Sequence, residues 1–157
     1  MSAAIERFTD GARALGLHPE VRRFPEGTKT AEAAAQAIGC DVGQIVKSLI
    51  FMADDAAVLA LTSGRNRVDE SKLAAVTGAR KVRRATPEEA REATGFAVGG
   101  TPPFAHTKAV RAFIDADLLG YDQVWAAAGT PDSVFPLTPA DLLRVSEAST
   151  AAFTEDR

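Results

Sequence analysis

Lys47 stands inside the apolar run IVKSLIF at residues 45–51, and the segment GFAVGGTPPFAH at residues 95–106 gathers three glycines and two adjacent prolines. In a strand, two-residue alternation sets Lys47 on the face shared by Ile45, Leu49 and Phe51, which ordinarily packs into a core. Two readings are open for this lysine. It is either an edge residue whose ammonium reaches water over a buried stem, or a charge held in a pocket to meet an anionic or carbonyl-bearing ligand. The glycine and proline segment holds almost nothing able to exchange a proton. Glycine lets the main chain approach a ligand closely and proline fixes its shape, so the loop is suited to presenting peptide groups in a rigid arrangement.

Other reactive side chains offer less. His106 closes that loop as a base, a hydrogen-bond donor or a surface residue, and His18 before Pro19 reads as a turn residue. With only these two histidines, a Ser-His-Asp or Cys-His arrangement is possible but not indicated. Cys40, beside Asp41 and without a basic neighbour, reads as an inert thiol. As the single cysteine it forms no internal disulfide, and no CxxC or HExxH spacing predicts a metal. GFAVGG is not GxGxxG and nothing matches a P-loop, so no cofactor is expected.

The net charge of −3 is unevenly spread, because residues 65–84 carry seven Lys or Arg against two acids. The overall acidity argues against non-specific coating of nucleic acid, and DNA is not an expected partner. Arg65, Arg67, Arg83 and Arg84 are either a local patch for a few phosphates or a solvated face. No run of 18 or more apolar residues predicts a membrane span, and the charged N-terminal stretch is unlike a signal peptide, so a cytoplasmic location is expected. The 157 residues, 46% apolar and 25% charged, suit one globular domain over 1–157.

The elements that must position these residues follow from periodicity and punctuation. Residues 3–15 form a helical pattern with Ile5, Phe8, Ala12 and Leu15 on one face, stopping near Gly16. EVRRF reads as a strand, and Thr30 caps the helix AEAAAQAI, which ends at Gly39. IVKSLIFMA and AAVLALTSG are strands joined by the turn signal DD. VDESKLAAVTG is a helix, ARKVRRA a strand and TPEEAREATG a capped helix leading into the glycine and proline loop. VRAFID, QVWAAAG and SVFPL read as strands, and TPADLLRVSEA as a last capped helix. The interleaving predicts a compact mixed α/β (α+β) fold with a partly antiparallel sheet and packed helices.

Three segments in register, VKSLIF, TGFAVGGTPPFAH and VWAAAGTPDSVFPLTPADLLR, resemble the YbaK family of aminoacyl-tRNA deacylases, which includes ProX-like proteins and the editing domain inserted in bacterial prolyl-tRNA synthetases. The resemblance runs over about residues 20–147. It implies hydrolysis of the ester between a wrong amino acid and the tRNA 3′ end, with tRNA(Pro) bearing alanine or another small residue as the expected substrate. Lys47 would hold the acceptor end, and Gly99 and Gly100 with Pro102 and Pro103 would form the substrate loop, Lys47, Gly99 and Gly100 being the catalytic set. Phe24, Ser48, Phe104, His106, Ala127 and Gly129 would bind the aminoacyl group. The implied partners are the aminoacyl-tRNA acceptor end and prolyl-tRNA synthetase. A non-catalytic module of the same fold that binds aminoacyl-tRNA or a synthetase is the alternative.

Two departures qualify the resemblance. Cysteine-editing members carry a tyrosine where Phe24 aligns and a serine where Ala127 aligns, which argues against Cys-tRNA as the main substrate. Relatives commonly read PFGH where this chain has Ala105 before His106, so a positive φ there would strain an alanine.

Overall fold

The computed structural model describes residues 2–25 and 30–156. Helix α1, Ala3–Ala14, starts at Ser2, whose hydroxyl accepts from the N–H groups of Ala4 and Ile5. Its stripe of Ile5, Phe8 and Ala12 is buried, whereas Leu15 leaves the helix and is 41% exposed. The buried face is therefore one turn shorter than the spacing predicts, because the chain bends away at Leu15 and Gly16 before that side chain can reach the core.

After the short strand β1, Arg22–Arg23, come α2, Ala31–Ile38, and a 3-10 turn over Val42–Gln44. Strands β2, Val46–Ala53, and β3, Ala56–Ser63, then form an antiparallel hairpin around Asp54. Asp54 takes φ +53°, and its carboxylate accepts from the N–H groups of Arg80 and Lys81. Helix α3, Glu70–Thr77, leads to β4, Val82–Arg84, and α4, Pro87–Thr94, follows with a capping box between Thr86 and Glu89. β5, Arg111–Ile114, a 3-10 segment Ala116–Gly120, β6, Val124–Ala127, β7, Ser133–Leu137, α5, Pro139–Ser146, and β8, Ser149–Thr150, complete the described chain.

Two sheets result. One has the order β4-β2-β3-β5-β8, antiparallel at β4-β2 and β2-β3 and parallel at β3-β5 and β5-β8. The other is antiparallel, in the order β1-β7-β6. A single parallel bridge between Ile45 and Trp125 joins them. The mixed α/β architecture with a partly antiparallel sheet is the one the sequence predicts.

Both faces of the larger sheet are covered, which explains why β2 and β3 read as nearly continuous apolar runs. Val46 and Ile50 point into the main core with Leu59, Leu61, Phe8 and Phe135. Phe51 and Ala53 point the other way, onto Leu73 of α3 and Phe153. Sequence periodicity misses the two 3-10 turns and β8, whose two exposed polar residues carry no strand signal.

Candidate functional site

The residues bearing chemistry meet where the larger sheet is incomplete. β4 pairs with β2 only from Phe51 to Ala53, and the bridge to Trp125 is made by Ile45, just before β2. Between these contacts the β2 edge is unpaired among the described residues. The Ile50 carbonyl accepts from the Ala85 N–H, so by strand alternation the peptide groups of Ser48 face this same edge. A cleft of about 900 Å³ fills the gap, and Lys47, Ser48, Gly99 and Ala127 all line it.

Lys47 and Ser48 occupy opposite faces of β2 and border the cleft from both sides of its open edge. The Lys47 Nζ donates to the main-chain carbonyl of Asn66, 2.6 Å away, rather than to a carboxylate. Burial is the largest influence on it and draws its pKa below the ordinary lysine value; Arg67 and Arg84 add to this, while Glu32 and Asp115 act in the opposite sense. The Ser48 hydroxyl is shielded from solvent and has no hydrogen-bond partner among the described residues. Such a hydroxyl is costly to leave unpaired.

The glycine and proline loop divides into a cleft-facing part and a core part. Gly99, at φ +87°, lines the cleft with the buried Thr101. Gly100 lies behind it, where its N–H donates to the Ala97 carbonyl and a side chain would come 2.8 Å from the Thr130 backbone. Pro102, Pro103 and Phe104 are buried and do not line the cleft; the Phe104 ring packs on Phe8 and Phe135 at centroid distances of 5.3 and 6.0 Å. His106 Nε2 donates to the Pro102 carbonyl at 2.7 Å, closing the loop on itself. Burial draws the His106 pKa down.

Phe24 stands behind the cleft wall, packed against the cluster of Ala34, Ile45, Trp125 and Val134, whose members do line the cleft. Gly129 is buried against the α1 backbone at Ala4, away from the cleft. Of the four arginines singled out in the basic segment, Arg65, Arg67 and Arg84 are exposed along the cleft. Arg83 points elsewhere and is held bidentately by Glu89 at 2.7 and 2.8 Å, which brings the Glu89 pKa to about 2. Cys40 lies outside the cleft, and burial followed by the charge of Asp41 raises its pKa. Among the described residues there is no cluster of three or more His, Cys, Asp or Glu able to hold a metal.

Sequence reasoning does not single out Asn66, Trp125 or Thr101 as cleft residues. Trp125 lines the cleft with Arg22 stacked 4.8 Å from its ring centre. An apolar residue in a strand run gives no signal of this kind.

The model of the aminoacyl-tRNA editing domain matches residues 25–145. The chain belongs to this family. Its relatives include a protein of comparable length and a much longer ligase. A Bacillus subtilis protein of uncharacterised function, YwhH, is 32% identical over 128 residues, covering 81% of each chain. The proline–tRNA ligase of Nitratidesulfovibrio vulgaris is 35% identical over 99 residues, which is 63% of this chain but only 17% of that much longer enzyme. A crystal structure described as a proposed trans-editing enzyme for prolyl-tRNA synthetase superposes with a TM-score of 0.94 at 46% identity, covering 99% of both chains. The editing-domain cleft described above is thus carried on a scaffold shared with proteins of aminoacyl-tRNA editing. No helix among the described residues is long and apolar enough to cross a membrane.

Proposed function

We propose that this editing-domain protein is a trans-acting deacylase that hydrolyses mischarged tRNA, with tRNA(Pro) carrying alanine or another small amino acid as its substrate. The carrying observation is the cleft at the open edge of β2, where the Lys47 ammonium, the unpartnered Ser48 hydroxyl and Gly99 converge beneath Arg65, Arg67 and Arg84. Cation, neutral donor and accessible main-chain N–H are the groups an aminoacylated, phosphate-bearing RNA end requires. The bridge joining the two sheets supports treating residues 1–157 as one editing domain, and a tRNA substrate would place it in the cytoplasm.

In this reading Lys47 holds the terminal ribose and phosphate, and the three arginines contact the flanking backbone. The ester is already activated, and the vicinal ribose hydroxyl can orient the attacking water. Water oxygen bonds to the ester carbonyl carbon, the bond from that carbon to the ribose oxygen breaks, and a water proton passes to the departing ribose oxygen, which leaves as a hydroxyl. The protein then needs only to place the ester and stabilise the oxyanion. The Gly99 N–H suits that task better than Gly100, whose N–H already closes a turn on Ala97.

Selection by size follows from magnitudes. A synthetase pocket rejects an amino acid lacking one methylene by only about 1–3 kcal/mol, so errors need a second, smaller site. Ala127 and Ser48 border such a site, backed by the Trp125 wall. An Enterococcus faecalis relative, 25% identical over 132 residues, is named as a proposed Cys-tRNA(Pro) and Cys-tRNA(Cys) deacylase; Ala127, which lines the cleft, lacks the hydroxyl of the cysteine-editing pattern, which favours an apolar side chain here. Release of labelled amino acid from Ala-, Ser- and Cys-tRNA(Pro), beside Pro-tRNA(Pro) and Ala-tRNA(Ala), tests the proposal. Fastest hydrolysis is expected for Ala-tRNA(Pro). Failure to hydrolyse every species, with and without prolyl-tRNA synthetase, would leave only the non-catalytic binding module.

A further inference from the structure

We propose that Asn66, anchored by Asp115 and Asp117, is a positioning residue that fixes the Lys47 ammonium in the cleft. This inference rests on the deacylase reading for its activity test, but not for its structural one. Asn66 lies just after β3, is 3% exposed, and offers its main-chain carbonyl to Lys47 Nζ at 2.6 Å. Its side chain donates from Nδ2 to Asp115 Oδ2 at 2.7 Å and Asp117 Oδ2 at 2.8 Å. Asp115, 4% exposed, also accepts from the Ser63 N–H at 3.1 Å through Oδ2 and from the Asp117 N–H at 3.0 Å through Oδ1. The Asn66 N–H in turn donates to the Ser63 carbonyl at 2.9 Å.

The arrangement separates orientation from neutralisation. A carboxylate placed directly on Lys47 would orient it but would also satisfy its charge and compete with an RNA phosphate. A carbonyl orients one ammonium proton and leaves the others and the full charge for a ligand. The carboxylates act one step back, where an amide is the side chain suited to the gap: it donates to both acids, whereas an aspartate would be repelled by them. Lysine stems are long and flexible, so the fixed carbonyl supplies the restraint that the side chain itself lacks.

A double-mutant cycle in single-turnover hydrolysis tests this, using whichever mischarged tRNA the wild type hydrolyses fastest. Asn66→Ala is expected to lower the rate roughly 10–100-fold with tRNA affinity changed less than about threefold. In a Lys47→Ala background the same substitution is expected to change the rate less than about threefold, because it acts through the lysine. The surface-side variant Asp117→Ala should show the same pattern with a smaller loss, which covers the case in which Asn66→Ala does not fold. A wild-type rate in both variants, or an undiminished loss in the Lys47→Ala background, overturns the proposal. Independently of turnover, the ¹⁵N spectrum of the Lys47 ammonium should show slowed hydrogen exchange in the wild type and ordinary exchange in Asn66→Ala or Asp117→Ala. Equal exchange in wild type and variants overturns it even if no tRNA in the panel is a substrate, an outcome that would count separately against the deacylase reading.

Discussion

Ala105 holds a left-handed backbone, φ +67°, and presents its methyl group to Gly11 of α1 so closely that a Cβ built on Gly11 would lie 2.6 Å away. The two residues therefore exchange places in a steric sense: the helix gives up a side chain where the loop supplies one. Left-handed alanine costs about 1–2 kcal/mol and a helical glycine about 1 kcal/mol relative to alanine. Gly11→Ala alone is expected to lower stability by 1–3 kcal/mol, on the order of other overpacking changes. Ala105→Gly should be neutral or stabilising, and the pair Gly11→Ala with Ala105→Gly should recover most of the loss. Urea unfolding of the four proteins measures the coupling, and strict additivity would show that the contact is not restrictive.

Removal of Lys47 should separate activity from stability. The lysine is half-buried and, among the described residues, its ammonium donates to a carbonyl and to no carboxylate, so Lys47→Ala should lower deacylation about 100-fold while shifting the thermal midpoint little. Only the charged ammonium attracts phosphate, and burial sets its pKa below the ordinary lysine value. The wild-type rate, corrected for spontaneous ester hydrolysis, should therefore fall as pH rises through a value below about 10.5. A rate that keeps pace with hydroxide through that range would remove the cation from the mechanism.

The basic segment should divide by position rather than by residue type. Arg65, Arg67 and Arg84 face the cleft, whereas Arg83 is occupied by Glu89. Alanine at any of the first three should reduce the salt slope of tRNA binding by about one phosphate contact, and Arg83→Ala should leave it unchanged. Binding measured from 50 to 200 mM salt decides this. Equal slopes for all four would return the segment to a solvated face.

Much of this could be read from the sequence, and the part that could not has a physical reason. Thr86 with Glu89, and Thr138 ahead of Pro139, are local signals, and the helices they announce form as predicted. Lys47 is conspicuous because a charge in an apolar strand needs a partner. Its partner is hidden because Asn66 gains its setting from Asp115, 49 residues further along the chain. The glycine and proline loop shows the opposite limit. Its composition announces a rigid turn but not which residues face inward, and Pro102, Pro103 and Phe104 prove to be core while Gly99 faces the cleft. Likewise, a run of arginines does not disclose that one of them already has a carboxylate.

His106 should make stability depend on pH. Its buried ring has a pKa below the usual histidine value, so the unfolded chain takes up a proton at higher pH than the folded one. The stabilisation is present above about pH 6.5 and is lost as pH falls through the lower folded value. Thermal midpoints from pH 8 to 5 should decline more steeply for the wild type than for His106→Gln, a side chain that can still donate to the Pro102 carbonyl. Parallel declines would show that the ring titrates normally.

Ser48 offers the sharpest separation of fold from function. Its hydroxyl is shielded and has no partner among the described residues, so Ser48→Ala removes an uncompensated polar group instead of a hydrogen bond. The folded chain should gain stability, by up to about 1–2 kcal/mol, because the cost of desolvating that hydroxyl disappears. If the hydroxyl instead awaits the amino group or ester of a bound substrate, the same variant should lose about 10-fold or more in the hydrolysis rate, a neutral hydrogen bond being worth roughly 0.5–1.5 kcal/mol and more when its partner is charged. Unfolding midpoints and single-turnover rates on the same preparations test both halves. A loss of stability would reveal a bond the free protein makes, and an unchanged rate would place the aminoacyl group elsewhere in the cleft.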